Sequence, residues 1–234
     1  PAGRRRFTLS YGGRLHHELE TGRKEYARGF RRTMGQISPE GVYLTSGSLW
    51  YPDFGTDLLT FSLKVQLPEN WHAVSQGSRK HQAAGAVEWA TDKPQEQIFL
   101  IAAPFTEYAR PAGRVQAMVF LRQPEPELAE KYLAATARYL RMYEELIGPY
   151  PYGKFALIEN FWETGFGMPS FTLLGPKVIR FPFILYSSYP HEILHNWWGN
   201  SVYPAYESGN WSEGLTAYLS DHLLKAQRGQ AVEQ

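Results

Sequence analysis

From about residue 37 to residue 120, apolar positions recur in short runs that alternate with polar ones. Residues 41–45 (Gly-Val-Tyr-Leu-Thr) open a strand. Residues 58–67 (Leu-Leu-Thr-Phe-Ser-Leu-Lys-Val-Gln-Leu) alternate with period two and end at the turn Pro68-Glu69-Asn70. Residues 87–89, 97–102 and 115–121 continue the series at hairpin-like intervals. Short strands, polar turns and no long helix predict an antiparallel sandwich.

The pattern changes after Pro124-Glu125-Pro126-Glu127. Leu128, Tyr132, Thr136, Tyr139, Tyr143, Leu146 and Ile147 fall at three- and four-residue spacing, which predicts an amphipathic helix of about six turns. Acidic residues open it and Gly148-Pro149 stops it. Residues 154–158 and 171–174 read as strands on either side of a Gly-rich turn. The expected fold class is α+β: an antiparallel β-sandwich-like domain over residues 1–122, then an α/β unit over residues 123–234.

Composition narrows the function. The 234 residues are 43% hydrophobic and carry a net charge of +1, which excludes a disordered or fibrous chain. The absence of cysteine excludes a disulfide scaffold, a thiolate zinc site and a cysteine nucleophile. No apolar stretch approaches the ~20 residues of a membrane span; residues 98–105 are short and interrupted by Pro104. No leader is legible, the first residue is Pro1, and the chain reads as a piece of something longer, with its compartment open. Residues 1–33 hold nine Lys/Arg against Glu18, Glu20 and Glu25, leaving 15 basic and 20 acidic residues elsewhere. The arginines are scattered, without a recognition motif or stacking aromatics, so a solvated surface is expected and nucleic acid is not.

The chemistry concentrates in His191-Glu192-Ile193-Leu194-His195. On a helix, positions i and i+4 share a face, so both imidazoles can reach one cation. Glu192 lies about 100° further round, beside the metal, where a carboxylate can take a proton from water. Composition predicts only about 0.02 such His-acid-x-x-His runs by chance. A catalytic zinc site takes three protein ligands and leaves one position open. No third histidine follows at metzincin spacing, which leaves Glu207 and Glu213. Glu213 follows Ser212, a possible helix cap, and a carboxylate on a second helix completes a His-His-Glu set. Glu207 lies in a Pro/Tyr/Ser/Gly segment and reads as a loop residue. His16, His17, His72 and His81 have no ligand-like spacing, and Trp197, Trp198 and Trp211 read as packing between the two helices. Gly165-Phe166-Gly167 lacks the setting of a phosphate loop, and no Gly-x-Ser-x-Gly elbow occurs.

Residues 191–200 (His-Glu-Ile-Leu-His-Asn-Trp-Trp-Gly-Asn), Trp211-Ser212-Glu213-Gly214 and Tyr218 resemble the M1 zinc aminopeptidases, a family of gluzincins. The resemblance extends through residues 150–154 (Tyr-Pro-Tyr-Gly-Lys) and the helix before them. It implies an N-terminal β domain, the first part of a thermolysin-like zinc-peptidase domain, and a helical domain beyond. It also implies one zinc ion per chain, a peptide substrate, and an oxyanion-stabilising tyrosine on a segment after residue 234. The 17 residues between His195 and Glu213 are one fewer than the family's usual spacing. Where the family commonly places an acidic residue behind a histidine ligand, this chain has Ser220, with Asp221 next to it. The family's Gly-x-Met-Glu-Asn motif falls on residues 166–170, with Gly167 and Met168 at substrate-binding positions. Pro169 stands where a glutamate would hold the substrate's α-amine, and Glu159 and Glu163 are the acids nearest in sequence. The expectation is zinc-dependent peptide hydrolysis with aminopeptidase-like features. The alternatives are an M1-like peptidase without strict amine recognition and a non-catalytic zinc-binding scaffold.

Overall fold

The computed structural model describes residues 5–21, 31–53, 55, 57–205, 207, 209–227 and 229. The strands in chain order are β1 (Glu20–Thr21), β2 (Arg31–Arg32), β3 (Gly35–Ser38), β4 (Gly41–Leu44), β5 (Leu59–Gln66), β6 (His72–Val74) and β7 (Ser78–Ala83). They continue as β8 (Ala86–Gln95), β9 (Leu100–Ala103), β10 (Thr106–Ala112) and β11 (Val115–Leu121). Helix α1 (Pro126–Leu146) precedes β12 (Lys154–Glu159), β13 (Gly165–Met168) and β14 (Phe171–Leu174), and α2 (Ser188–Leu194), α3 (Trp211–Ala217) and α4 (Leu223–Gln227) follow.

Besides the two-stranded β1-β2 ribbon, the β-rich part forms two antiparallel sheets of order β3-β4-β9-β6 and β5-β8-β7. Alternation in β5 appears as strictly alternating burial, the mark of a strand with one wet face. A third sheet, of order β10-β11-β12-β14-β13, is mixed: β11, β12 and β14 run parallel, while β10 and β13 are antiparallel edges. A parallel pair needs a long crossover, and α1 supplies it between β11 and β12. The texture change near residue 122 marks the approach to α1, and the sheet runs across it because β10 and β11 pair into the same ladder as β12. Pro111 is tolerated because β10 is an edge strand.

Side-chain alternation divides this sheet between two cores. Val115, Ala117, Val119, Leu121, Phe155 and Leu157 face α1 and α2. Met118, Phe120, Ala156, Ile158, Phe171 and Leu173 face the β-rich part, where Trp89, Ile101 and Phe105 meet them. On α1 the predicted stripe is buried at Tyr132, Thr136, Tyr139 and Tyr143, and Leu146 is exposed at its end. Among the described residues no helix is long and apolar enough to cross a membrane. Of the basic leading stretch, Arg4, Arg23, Lys24 and Arg28 lie outside the described residues, and Arg32 is exposed beside Glu20.

Glu107 on β10 ties the sheets together. Arg79 on β7 grips its carboxylate with two N–H···O bonds of 2.8 and 2.7 Å, and the His72 Nδ1 of β6 lies 3.2 Å away. Burial opposes ionisation, but hydrogen bonds and charge from His72 and Arg79 outweigh it and hold the carboxyl down at about 2, against a usual 4.5. A depressed carboxylate contributes stability above its unfolded value that disappears as pH falls through the folded one. Glu107→Gln is therefore expected to lower stability at pH 7 by about 1–2 kcal/mol, solvent screening of the partly open pair limiting the loss. In urea unfolding, the gap from wild type should narrow as pH falls from about 4.5 to 2.

Candidate metal centre

Helix α2 has only seven residues, too few to hold itself in water. Its apolar face is anchored instead. Tyr189, Ile193 and Leu194 are buried against α1, with the Tyr189 ring 4.8 Å from Tyr132 and its hydroxyl 2.5 Å from that of Thr136. Just beyond the helix, Trp197 stacks edge-on against Tyr143 and Tyr150 and donates to the Gly148 carbonyl at 3.0 Å. The opposite face presents His191, Glu192 and His195 to a cleft. Helix α3 brings Glu213 in its first turn, and Trp198 ties the helices by donating to Thr216 at 2.8 Å. Of the three tryptophans, Trp197 and Trp198 pack as expected, while Trp211 is exposed. Ser212 does not cap α3: Asn210 holds the cap position, and the Ser212 hydroxyl donates to the Asn210 side chain at 3.0 Å.

His191 Nε2 and His195 Nε2 lie 3.0 Å apart, and Glu213 brings its two oxygens to 3.4 Å from His191 and 3.3 Å from His195. Ligands about 2.0–2.1 Å from a tetrahedral zinc are separated by about 3.3 Å, so this donor set fits the ion and leaves the fourth direction open. Burial, then the neighbouring His191, hold His195 below the usual histidine value against the pull of Glu213, which favours the neutral imidazole that can ligate. Glu192 stands beside the triad, its carboxyl pushed up to about 8 by burial and then by the charge of Glu213. A cation at the three ligand atoms would draw Glu192 back down and hold His195 further in its neutral form.

The cleft has a volume of about 310 Å³ and is walled by α2, by Glu213 and by edge strand β13. Gly167 borders it, where a Cβ would come within 2.2 Å of Glu192 Oε2. Met168 does not line it; one residue on, period-two alternation turns Met168 into the core between the sheets. Pro169 is buried in the two-residue turn that joins β13 to β14. Neither nearby acid replaces the family's glutamate. Glu159 is buried, bonded to Arg180 at 2.7 Å and to the Arg122 amide at 2.8 Å, and Glu163 accepts the Lys177 amide at 3.0 Å. Glu207 is exposed and is not one of the three converging groups. Ser220 donates to the Thr216 carbonyl, and Asp221 is exposed; both lie in a π-turn, Tyr218–His222.

No family model matches the chain. Aminopeptidase B of Rattus norvegicus is 27% identical over 193 residues, which cover 74% of this chain and 28% of that protein. Leukotriene A-4 hydrolase of Xenopus laevis is 35% identical over 103 residues, 42% of this chain and 17% of that protein. An M1 zinc metallopeptidase from Deinococcus radiodurans superposes with a TM-score of 0.66 at 21% identity, covering 92% of this chain and 52% of that one. The chain has the fold of these M1 zinc metallopeptidase structures and is similar in sequence to Aminopeptidase B. Yeast LTA4 hydrolase is similar in fold too, with a TM-score of 0.63 at 19% identity over 80% of this chain and 32% of that one. The chain thus spans about a quarter of the length of Aminopeptidase B and about half of the Deinococcus M1 structure.

The crowding at Gly167 gives a direct test. Gly167→Ala is expected to leave the fold intact, because the obstacle is the end of a side chain, and to displace the Glu192 carboxylate by about 1 Å. Crystal structures of the two forms measure that shift; an unmoved Glu192 would contradict the geometry.

Proposed function

We propose that His191, His195 and Glu213 hold one zinc ion per chain and that Glu192 is the proton acceptor for peptide-bond hydrolysis. One observation carries the reading: three ligand atoms converge 3.0–3.4 Å apart in a cleft, with a half-buried carboxylate, Glu192, beside them. When bound, zinc supplies Lewis-acid polarisation of a carbonyl and eases the loss of a proton from water. The rest is the work of the chain. Glu192 receives a proton at its carboxylate and returns it to the leaving amine. Its half-buried position beside the three ligand atoms holds the carboxylate close to the reacting atoms. Edge strand β13 offers main-chain groups along its free side, where an extended peptide can pair as an added strand. Gly167 keeps that approach clear, since no side chain stands between the peptide and Glu192.

A second reading concerns the end of the substrate. Among the described residues, the only carboxylates lining the cleft are Glu192 and Glu213, and both have work already. Pro169 supplies neither charge nor a backbone donor. This favours a peptidase that does not demand a free α-amine. An enzyme that requires the amine should lose most turnover on an amino-acetylated peptide, whereas this protein is expected to cleave blocked and free versions of one sequence at rates within about tenfold of each other.

The decisive substitution for the chemistry is Glu192→Gln in the full protein. It keeps the shape and removes the proton acceptor, so kcat should fall by about 10²–10⁴-fold while zinc content by atomic absorption stays unchanged. Unaltered turnover would show that Glu192 is not the proton acceptor.

A further inference from the structure

Among the described residues Lys154 is the only buried lysine, at 2% exposure. No carboxylate among the described residues pairs with its ammonium. It lies over the faces of Trp89, at 5.0 Å, and Phe171, at 5.2 Å, and donates to the Ser170 hydroxyl at 2.7 Å and the Ser170 carbonyl at 3.1 Å. Burial, then the nearby Arg79, push the amine well below the ordinary lysine value. Removing a cation from water is costly, and a methionine would fill similar space without that cost. The amine is thus placed for what it donates to.

Ser170 is the second residue of the β13–β14 turn, held at φ +68°, a conformation rare for a side chain other than glycine. Three other parts of the chain converge on it. Lys154 reaches it from the start of β12, and the Gly77 amide of the β-rich part donates to its hydroxyl at 3.1 Å. Its own amide donates to Asn196 Oδ1 at 2.6 Å. Asn196 directly follows His195 and donates through Nδ2 to the carbonyls of Glu192, at 3.2 Å, and Ile193, at 3.1 Å. Ser170 and Asn196 are fully buried. The path runs unbroken from Lys154, through the turn that ends β13, to the backbone of the residue proposed as proton acceptor.

We propose that Lys154, Ser170 and Asn196 are positioning residues that lock edge strand β13 to the end of α2 and so set the width of the cleft between Gly167 and Glu192. The kinetic part of this proposal rests on the hydrolysis reading; the structural part does not. If β13 pairs with the substrate, loosening the lock weakens peptide binding before it affects the chemistry. In the zinc-loaded full protein, Lys154→Met is expected to raise KM for a peptide about tenfold while kcat stays within about twofold and zinc content is unchanged. Amide hydrogen exchange should accelerate in residues 165–171 and 192–197 and stay unchanged elsewhere.

Asn196→Asp keeps the acceptor for the Ser170 amide and loses both N–H donors to α2. It should accelerate exchange in the same two segments, and it serves the same comparison if Lys154→Met does not fold. The paired effects on KM should combine to less than their sum, as for members of one network. An unchanged KM with unchanged exchange would overturn the proposal, as would acceleration spread evenly over all three sheets. If the wild-type protein cleaves no peptide, the hydrolysis reading fails, and exchange in the two segments still decides whether the lock exists.

Discussion

Strands β11, β12 and β14 have no wet face. Their alternate side chains fill two different cores, one against α1 and α2 and the other against the antiparallel sheets. Polar groups on a strand buried on both sides, such as Lys154 and Glu159 of β12, are taken up by internal partners, so groups that must meet a substrate are displaced to the margin of the sheet. Of the two margins, β10 is committed to Glu107 and its partners and is blunted by Pro111, while β13 faces α2. The cleft therefore forms where ladder groups remain available and where a helix can approach them. The position of the site follows from the burial of the sheet.

Accuracy within the cleft comes from outside it. Residues in α2 and α3 converge to within 3.4 Å, although each helix is only seven residues long. Aromatic packing does what helix propensity cannot. The Tyr132–Tyr189 and Tyr143–Trp197 contacts fix α2 in rotation, and the Trp198–Thr216 bond fixes α3 against it. Two histidines and two carboxylates this close shift one another: burial and then Glu213 raise Glu192, and burial and then His191 lower His195.

Elements with a clean period were legible in the sequence. Residues 115–121 and 171–174 are strands over those bounds, and α1 begins and ends within two residues of its apolar stripe. Strands with weak patterns were not. β7 is largely exposed, β10 contains Pro111, and β13 carries two glycines, so none has the apolar alternation that marks a strand. At the site, the i, i+4 histidines were visible because local geometry dictates their meeting. The inward turn of Met168 and the open cap at Ser212 depend on tertiary packing, which spacing does not encode. Lys154 read only as a strand start within a family-like stretch; the folded structure shows that its neighbours are aromatic rings and a turn.

The shared sheet also bears on how such a protein can change over evolutionary time. Met118, Phe120, Ala156, Ile158, Phe171 and Leu173 form a surface that is hidden only while the β-rich part covers it. A lineage that discarded the β-rich part would bare this apolar face, which in a soluble protein invites aggregation. The two halves are thus obligate companions rather than exchangeable modules. Rearrangement is easier at the ends of the chain and in its loops than at the seam between the halves.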